Sequence, residues 1–341
     1  MVLPSELPDD LVYIRDINPG YTRTKKKDKF HYFDQSGKPI TDPSKLDRIN
    51  ALVIPPAWKS VWISPKKNSY LQATGLDDKN RKQYRYHTNW STYSQKLKYD
   101  QLHSFGLFLP NLRKRYNTDL GKRGWPKEKV LALAVAVLDD LFLRIGNSQY
   151  TEKNNTYGLT TLRRRHIGIN GKAMELKYTG KSGVSRMINL TDKRLVRLLK
   201  GCSQLPGYEI FRYQEDGKWY TVDSSEINEY INVDKAANHY FTAKYFRTWG
   251  ANSLCIKNKR EALESVKNTR KKPETALIRS IAKKMGHTVS TCKSHYLHPE
   301  VIGFCMENNC DSLRIPKSIA ENDYKPEEKT LMTILKKIVK E

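Results

Sequence analysis

Apolar residues change their spacing several times along the chain, and each change predicts an element. From residue 1 to about 92 they alternate with polar ones over short runs, as half-buried strands require. Lys29 to Ile40, KFHYFDQSGKPI, predicts two short strands around the turn Asp34-Gln35-Ser36-Gly37. Pro55-Pro56 breaks the chain before a strand at Val61-Trp62-Ile63, and Leu71-Gln72-Ala73 predicts another. In Gly75 to His87, GLDDKNRKQYRYH, the residues Gln83, Arg85 and His87 alternate with Tyr84 and Tyr86, giving an extended segment with two different faces.

Near residue 93 the spacing turns helical. Thr92 to Leu109 predicts one helix. Trp125-Pro126 opens a stronger one, with Val130, Leu133, Ala134, Val137, Leu138 and Leu141 recurring at helical spacing. That helix runs into LFLRIGN, so Arg144 emerges from a buried C-terminus, where a cation suits the helix dipole. Tyr157 to Leu190 returns to strands joined by tight turns, with Lys181 at the tip of Thr179-Gly180-Lys181-Ser182-Gly183. Helices are expected again from Thr191. Ile231 to Trp249 contains KYFRTWG, with Lys244 and Arg247 three apart on one face, and Asn258 to Lys272 predicts a charged helix and exposed loop. Pro273 to Met285 predicts a helix, and Lys329 to Val339 carries the stripe Leu331, Ile334, Leu335, Ile338 and Val339 of a terminal amphipathic helix. The whole is an α+β chain, with a β-rich part at 1–92 and a mainly α part at 93–341.

Charge narrows the function. The 341 residues hold 61 Lys and Arg against 36 Asp and Glu, a net +25. Such a field attracts polyanions, nucleic acid above all. Mean hydropathy is −0.70. The longest apolar run, Val130 to Leu138, is too short to span a bilayer, and Met1 to Asp10 lacks the pattern of a signal peptide. No membrane partner and an intracellular location are therefore expected. The five cysteines, Cys202, Cys255, Cys292, Cys305 and Cys310, are odd in number and fit no secreted disulfide framework. With His295 and His298 they do not match paired-ligand zinc spacing, so no metal is expected.

The candidate chemistry lies in Gly286 to Pro299, GHTVSTCKSHYLHP, which carries His287 and Tyr296. A phenol with a pKa of ~10 is a poor nucleophile unless neighbours stabilise the charge that develops as it attacks. Upstream cations at Arg144, Lys181 and Arg247 supply such neighbours. A phosphodiester attacked by a phenol gains charge on its non-bridging oxygens, which arginines suit, and the departing alkoxide needs a proton. The product ester conserves bond energy, so resealing needs no ATP. Gly180-Lys181-Ser182 does not make a phosphate loop, because Glu175 stands where that motif requires glycine. No cofactor is expected. Asp139-Asp140 reads as a helix face.

GLDDKNRKQYRYH, LFLRIGNSQYTEKNNTYGLTTLRRRHI, YTGKSGVS, KYFRTWGA and GHTVSTCKSHY together resemble the type IB DNA topoisomerases of the poxvirus, bacterial and giant-virus kind, over nearly the full length. The resemblance implies a nucleophile at Tyr296 that forms a 3′-phosphotyrosyl intermediate during ATP- and metal-independent relaxation of supercoiled duplex. It implies that Lys181 and Arg144 help expel the 5′ oxygen, and that Arg247 and His287 stabilise the scissile phosphate. DNA contacts are implied at Gln83, Tyr84, Tyr86 and Tyr150, with Lys244 beside Arg247. The implied architecture is the type IB topoisomerase and tyrosine recombinase fold, with a small sheet carrying the Lys181 hairpin. The resemblance also implies a monomer whose β-rich N-terminal domain and mainly α catalytic domain clamp duplex DNA. A viral source would place it in the virion or viral factory, a bacterial one in the cytoplasm. Asn147 and Gln149 stand where poxvirus members have lysines, so site preference is not expected to carry over unchanged. Two alternatives are a tyrosine site-specific recombinase and a non-enzymatic DNA-binding protein. Recombinases usually place His where this chain has Lys244, and a passive binder needs neither Tyr296 nor Lys181.

Overall fold

The computed structural model describes residues 7–27, 29–78, 80–170, 173–233, 240–267, 269–270, 272–307, 310 and 312–339; within these, side chains at 95, 96, 98, 149, 150, 153 and 170 fall outside the description. The chain forms two compact units, Met1–Lys98 and Tyr99–Glu341.

The first unit is built on an antiparallel sheet of β1 (Tyr21–Lys26), β2 (Lys29–Phe33), β3 (Lys59–Ile63), β4 (Leu71–Leu76) and β5 (Lys82–Tyr86), in the order β2-β1-β3-β4-β5, with α1 (Pro43–Ala51) between β2 and β3 in sequence. Ile49, Val61, Ile63 and Ala73 form its core with Tyr21. The apolar pattern does not reveal β1, because one of its two inward residues is Arg23. That arginine is buried because its guanidinium donates to the carbonyls of Ile54, Pro55 and Trp58. The strand expected after Asp34–Gly37 shrinks to a single bridge, Phe33 opposite Pro39. Proline has no N–H with which to extend a ladder. The turn itself forms, with the Asp34 carboxylate accepting from the Ser36 and Lys38 amides.

Helix α2 (Thr88–Leu120) leads from the first unit into the second. It runs through Pro110 rather than ending at Leu109. Leu112, Tyr116 and Leu120 prolong the buried stripe of Leu102, Phe105 and Leu109. Three buried side chains, at ~1.5–3 kcal/mol each, outweigh the ~3 kcal/mol cost of an interior proline. Helix α3 (Lys127–Leu141) is buried on all sides from Val130 to Leu138, so it is the central rod of this unit rather than a surface helix with one apolar face. After α4 (Ser148–Asn154) come β6 (Ile167–Asn170), β7 (Ala173–Thr179) and β8 (Ser185–Leu190), a three-stranded antiparallel sheet.

Asp192 caps α5 (Lys193–Ser203) by accepting from the Leu195 amide. The hairpin of β9 (Arg212–Glu215) and β10 (Lys218–Thr221) follows, in a stretch where only helices were expected. Its signal is Asp216-Gly217, both at positive φ, a two-residue turn matched to strand twist. The remaining helices are α6 (Ser224–Ile231), α7 (Ala243–Glu264), α8 (Pro273–Met285), α9 (Val289–His295), α10 (Pro299–Met306), α11 (Lys317–Ala320) and α12 (Pro326–Ile338). Cys305 Sγ lies 3.6 Å from Cys255 Sγ and 3.4 Å from Cys310 Sγ, and all five cysteines are buried free thiols.

A buried ion network ties four helices together. Arg113 on α2 donates to both carboxylate oxygens of Asp139 on α3 (2.8 and 2.9 Å) and to both of Glu328 on α12 (2.8 and 2.9 Å). Tyr116 donates to Asp139 and the Trp249 indole of α7 to Glu328. Asp139 is therefore a core residue, whereas Asp140 faces Lys325 at 3.4 Å. Its partners hold the Arg113 guanidinium far above its usual range, against the effect of burial. Arg113→Ala would strand two buried carboxylates, and a loss of about 3–5 kcal/mol is expected in urea unfolding. A loss below 1 kcal/mol would show that the network does not hold the helices.

Candidate active site

Four of the residues expected to do chemistry converge in the second unit. Helix α3 ends with Phe142 in the left-handed conformation (φ 53°), which turns the chain and delivers Arg144 two residues later. Arg247 comes from the first turns of α7 and is 4% exposed. Helix α8 ends at Gly286, also left-handed (φ 66°), which places His287 immediately beyond. Tyr296 caps α9 and is half-buried.

The His287 ring sits between two guanidiniums. Arg144 Nη2 is 3.1 Å from Nδ1, and Arg247 Nη2 is 2.6 Å from Nε2. The Tyr296 ring lies against His287 at 4.2 Å between centroids, tilted by 31°, and Arg247 Cζ stands 5.5 Å from the centre of the tyrosine ring. Burial pushes the Arg247 guanidinium down to about 10, and Arg144 adds to that shift, yet the group stays protonated at neutral pH. Burial likewise lowers Arg144, with Tyr296 opposing. Burial and then the charges of Arg247, Arg144 and Arg186 push His287 down to about 3, so its ring is neutral. A neutral imidazole has one acceptor nitrogen, so only one guanidinium can donate to it. Arg247 Nε is buried without an acceptor among the described residues. Donors and positive charge thus exceed the acceptors facing them, which suits an anionic group such as a phosphate.

What holds these cations is backbone. The carbonyls at a helix C-terminus have no partner within the helix and carry the negative end of its dipole. In the last turn of α8, Arg186 donates to Lys283 O (3.4 Å) and Lys284 O (2.8 Å), Arg247 to Met285 O (3.0 Å), and Arg144 to Gly286 O (3.4 Å). Arg247 also donates to Phe142 O, the cap of α3. Four successive carbonyls accept from three arginines.

Lys181 is not part of this cluster. It sits exposed at the tip of the β7–β8 hairpin, in a short turn of Lys181–Gly183, and none of the described contacts joins it to Tyr296, His287, Arg144 or Arg247. Two residues that no motif pointed to lie close in. Asn252 of α7, fully buried, donates to the Tyr296 carbonyl (2.9 Å) and accepts from the His298 amide (2.9 Å), gripping the chain on both sides of the tyrosine side chain. Arg186 of β8 is the other. The signal that could have found them is positional: Asn252 lies five residues after Arg247 on one helix, and Arg186 falls on the buried face of its strand.

The residues expected to face DNA are spread over both units. Tyr84 and Tyr86 share one face of β5, stacked at 5.9 Å and 47% and 43% exposed. Gln83 and Arg85 occupy the other face, where Gln83 donates to Asp77 and Arg85 to the Val53 carbonyl. Lys244 is exposed on α7, one turn before buried Arg247. Tyr150 is on α4, and its side chain lies outside the described residues. Among the described residues no group of three or more His, Cys, Asp or Glu is arranged to hold a metal, and no helix is long and apolar enough to cross a membrane.

Residues 85–309 match the family model of the eukaryotic DNA topoisomerase I catalytic core, and residues 29–77 match that of the bacterial DNA topoisomerase IB N-terminal domain. The chain is 32% identical over 289 residues to DNA topoisomerase 1B of Acanthamoeba polyphaga mimivirus, covering 82% of this chain and 85% of the relative. It is 26% identical over 250 residues to DNA topoisomerase I of monkeypox virus, covering 69% and 72%. Among solved structures, the XerH site-specific recombinase bound to palindromic difH substrate overlaps with a TM-score of 0.37 and 13% identity, over 58% of this chain and 50% of that one.

The His287 shift gives a test. Its pKa in the folded chain, about 3, lies below the ordinary 6.5. Its contribution to stability is therefore complete above about pH 6.5 and is lost as pH falls towards about 3. Imidazole nitrogen shifts in NMR are expected to report a neutral His287 in the free protein at pH 5. A midpoint near 6.5 would contradict the arginine contacts.

Proposed function

We propose, for a chain that belongs to the type IB DNA topoisomerases, that Tyr296 is the nucleophile and that Arg144, Arg247, His287 and Lys181 serve its attack. The protein is an enzyme that acts on DNA and changes its topology; the family matches do not favour the recombinase alternative. The observation that carries the residue assignment is the convergence of a tyrosine with two guanidiniums and a neutral imidazole at a site rich in donors.

In this reading the Tyr296 phenol gives up its proton to water as its oxygen bonds to phosphorus, and the bond from phosphorus to the 5′ oxygen breaks, leaving a 3′-phosphotyrosyl ester. Arg247 and His287, the latter as a neutral hydrogen-bonding group, stabilise the phosphate where charge grows, and Arg144 helps to expel the 5′ oxygen. Lys181, an ammonium on a hairpin tip, protonates the departing 5′ oxygen. Resealing is the reverse. A monomer would close its β-rich part, residues 1–92, and its catalytic part, residues 93–341, around duplex, with Gln83, Tyr84, Tyr86, Tyr150 and Lys244 on the DNA side. The enzyme would work inside the cell, or in the virion or viral factory if its source is a virus.

Plasmid relaxation is expected in EDTA without ATP, for both signs of supercoil, and a strict need for ATP or Mg²⁺ would overturn the mechanism. Tyr296→Phe is expected to abolish the covalent adduct while leaving DNA binding nearly unchanged, since affinity is spread over the phosphate contacts of a +25 chain. An adduct formed by that variant would rule Tyr296 out. Lys181→Ala is expected to slow cleavage by on the order of 10²–10⁴-fold on ordinary DNA. Most of that loss should vanish when sulfur, a better leaving group, replaces the bridging 5′ oxygen. An equal defect on both substrates would remove Lys181 from the acid role.

A further inference from the structure

Lys181 stands on an exposed two-stranded tip, yet a proton donor has to be held at one oxygen. The turn closes locally: Gly180 N donates to Val184 O (2.7 Å) and Gly183 N to Gly180 O (3.1 Å), with Ser182 and Gly183 at positive φ. These bonds shape the tip without fixing it to the rest of the unit.

Tyr157 N ties the neck on one side by donating to Thr179 O (2.8 Å), and Arg186 ties it to the end of α8. Arg186 lies on β8 five residues after Lys181, opposite Tyr178 on β7, and is 8% exposed. Its aliphatic stem runs beneath the residue that precedes Lys181: a Cβ on Gly180 would stand 3.2 Å from Arg186 Cγ. Its guanidinium reaches the end of α8, where it donates to the carbonyls of Lys283 and Lys284. There it fills the space left by the missing side chain of Gly286, since a Cβ would meet Arg186 Nη1 at 2.4 Å. Gly286 in turn carries the Arg144 contact on its carbonyl and is followed by His287. One side chain thus joins the neck of the Lys181 hairpin to the helix end on which the phosphate-binding cations rest. A bidentate, permanently charged group suits that task, because two adjacent carbonyls fix its orientation as well as its position.

We infer that Arg186 is a positioning residue that sets where Lys181 stands relative to the Arg144, Arg247 and His287 cluster, so that proton delivery to the 5′ oxygen depends on it. The inference rests on the acid role proposed for Lys181. Arg186 need not touch the DNA; its effect on the reaction passes through the lysine.

Single-turnover cleavage by Arg186→Ala, Arg186→Lys, Lys181→Ala and His287→Ala, on duplexes with oxygen or sulfur at the bridging 5′ position, separates the possibilities. Arg186→Ala is expected to be slowed on the oxygen substrate by on the order of 10–10²-fold, less than Lys181→Ala. Most of its loss should disappear on the sulfur substrate, as for Lys181→Ala and unlike His287→Ala. Arg186→Lys, which keeps a cation but has one compact donor head, is expected to lie between the wild type and Arg186→Ala with the same rescue. It carries the test if Arg186→Ala fails to fold by thermal melting. Rescue of Lys181→Ala without rescue of the Arg186 variants would overturn the inference and leave the lysine's role standing. It would make Arg186 a brace for α8 alone. Failure to rescue Lys181→Ala would overturn the acid role itself, and the coupling with it.

Discussion

The last turn of α8 is the constraint on which the site depends. Positive groups brought together away from water repel one another, and burial already lowers Arg144 and Arg247. They can be assembled only if something negative that is not a counter-ion receives them. Lys283, Lys284, Met285 and Gly286 offer four carbonyls at the negative end of a helix dipole, and these accept from Arg186, Arg247 and Arg144. Backbone acceptors hold the guanidiniums without neutralising them. A carboxylate in the same place would bind the arginines more tightly and cancel the field a phosphate requires.

The same helices solve the opposite problem a few residues away. Trp249, two residues after Arg247, donates to Glu328, and Asp139, five residues before Arg144, accepts from Arg113. There every charge has a partner of opposite sign, and the bidentate geometry leaves few lone pairs unused. The paired network fixes α2, α3, α7 and α12, and the site takes Arg144 from just beyond the end of α3 and Arg247 from the start of α7, two of the same four helices. Rigidity and reactivity are thereby divided between neighbouring stretches of α3 and α7.

Much of this was legible in residue order, and the rest had physical reasons to stay hidden. The spacing of Val130 to Leu141 announced α3, and the ordered motifs picked out Arg144, Arg247, His287 and Tyr296, which the structure brings together, and Lys181, which stands apart from them. The carbonyl hub could not be read, because a backbone acceptor has no residue type. Arg186 is one of 61 lysines and arginines, and nothing but its inward place on β8 separates it from the solvated ones. Asp139 looked like a helix face because its partners Arg113 and Tyr116 come from a different helix. β1 was masked by Arg23, a cation on the inner face whose partners are three carbonyls of a later loop. In each case the missing information was a long-range hydrogen bond between a polar side chain and backbone or a distant carboxylate.

Asn252 has a mechanical meaning. In the proposed covalent state a DNA strand hangs from Tyr296, and any force on that strand would be felt first by the backbone at this residue. The grip of Asn252 on the Tyr296 carbonyl and the His298 amide sends the load into the middle of α7, a 22-residue helix, on both sides of the attachment point. Such a force would then have a short path from the backbone on both sides of Tyr296 into the body of the unit.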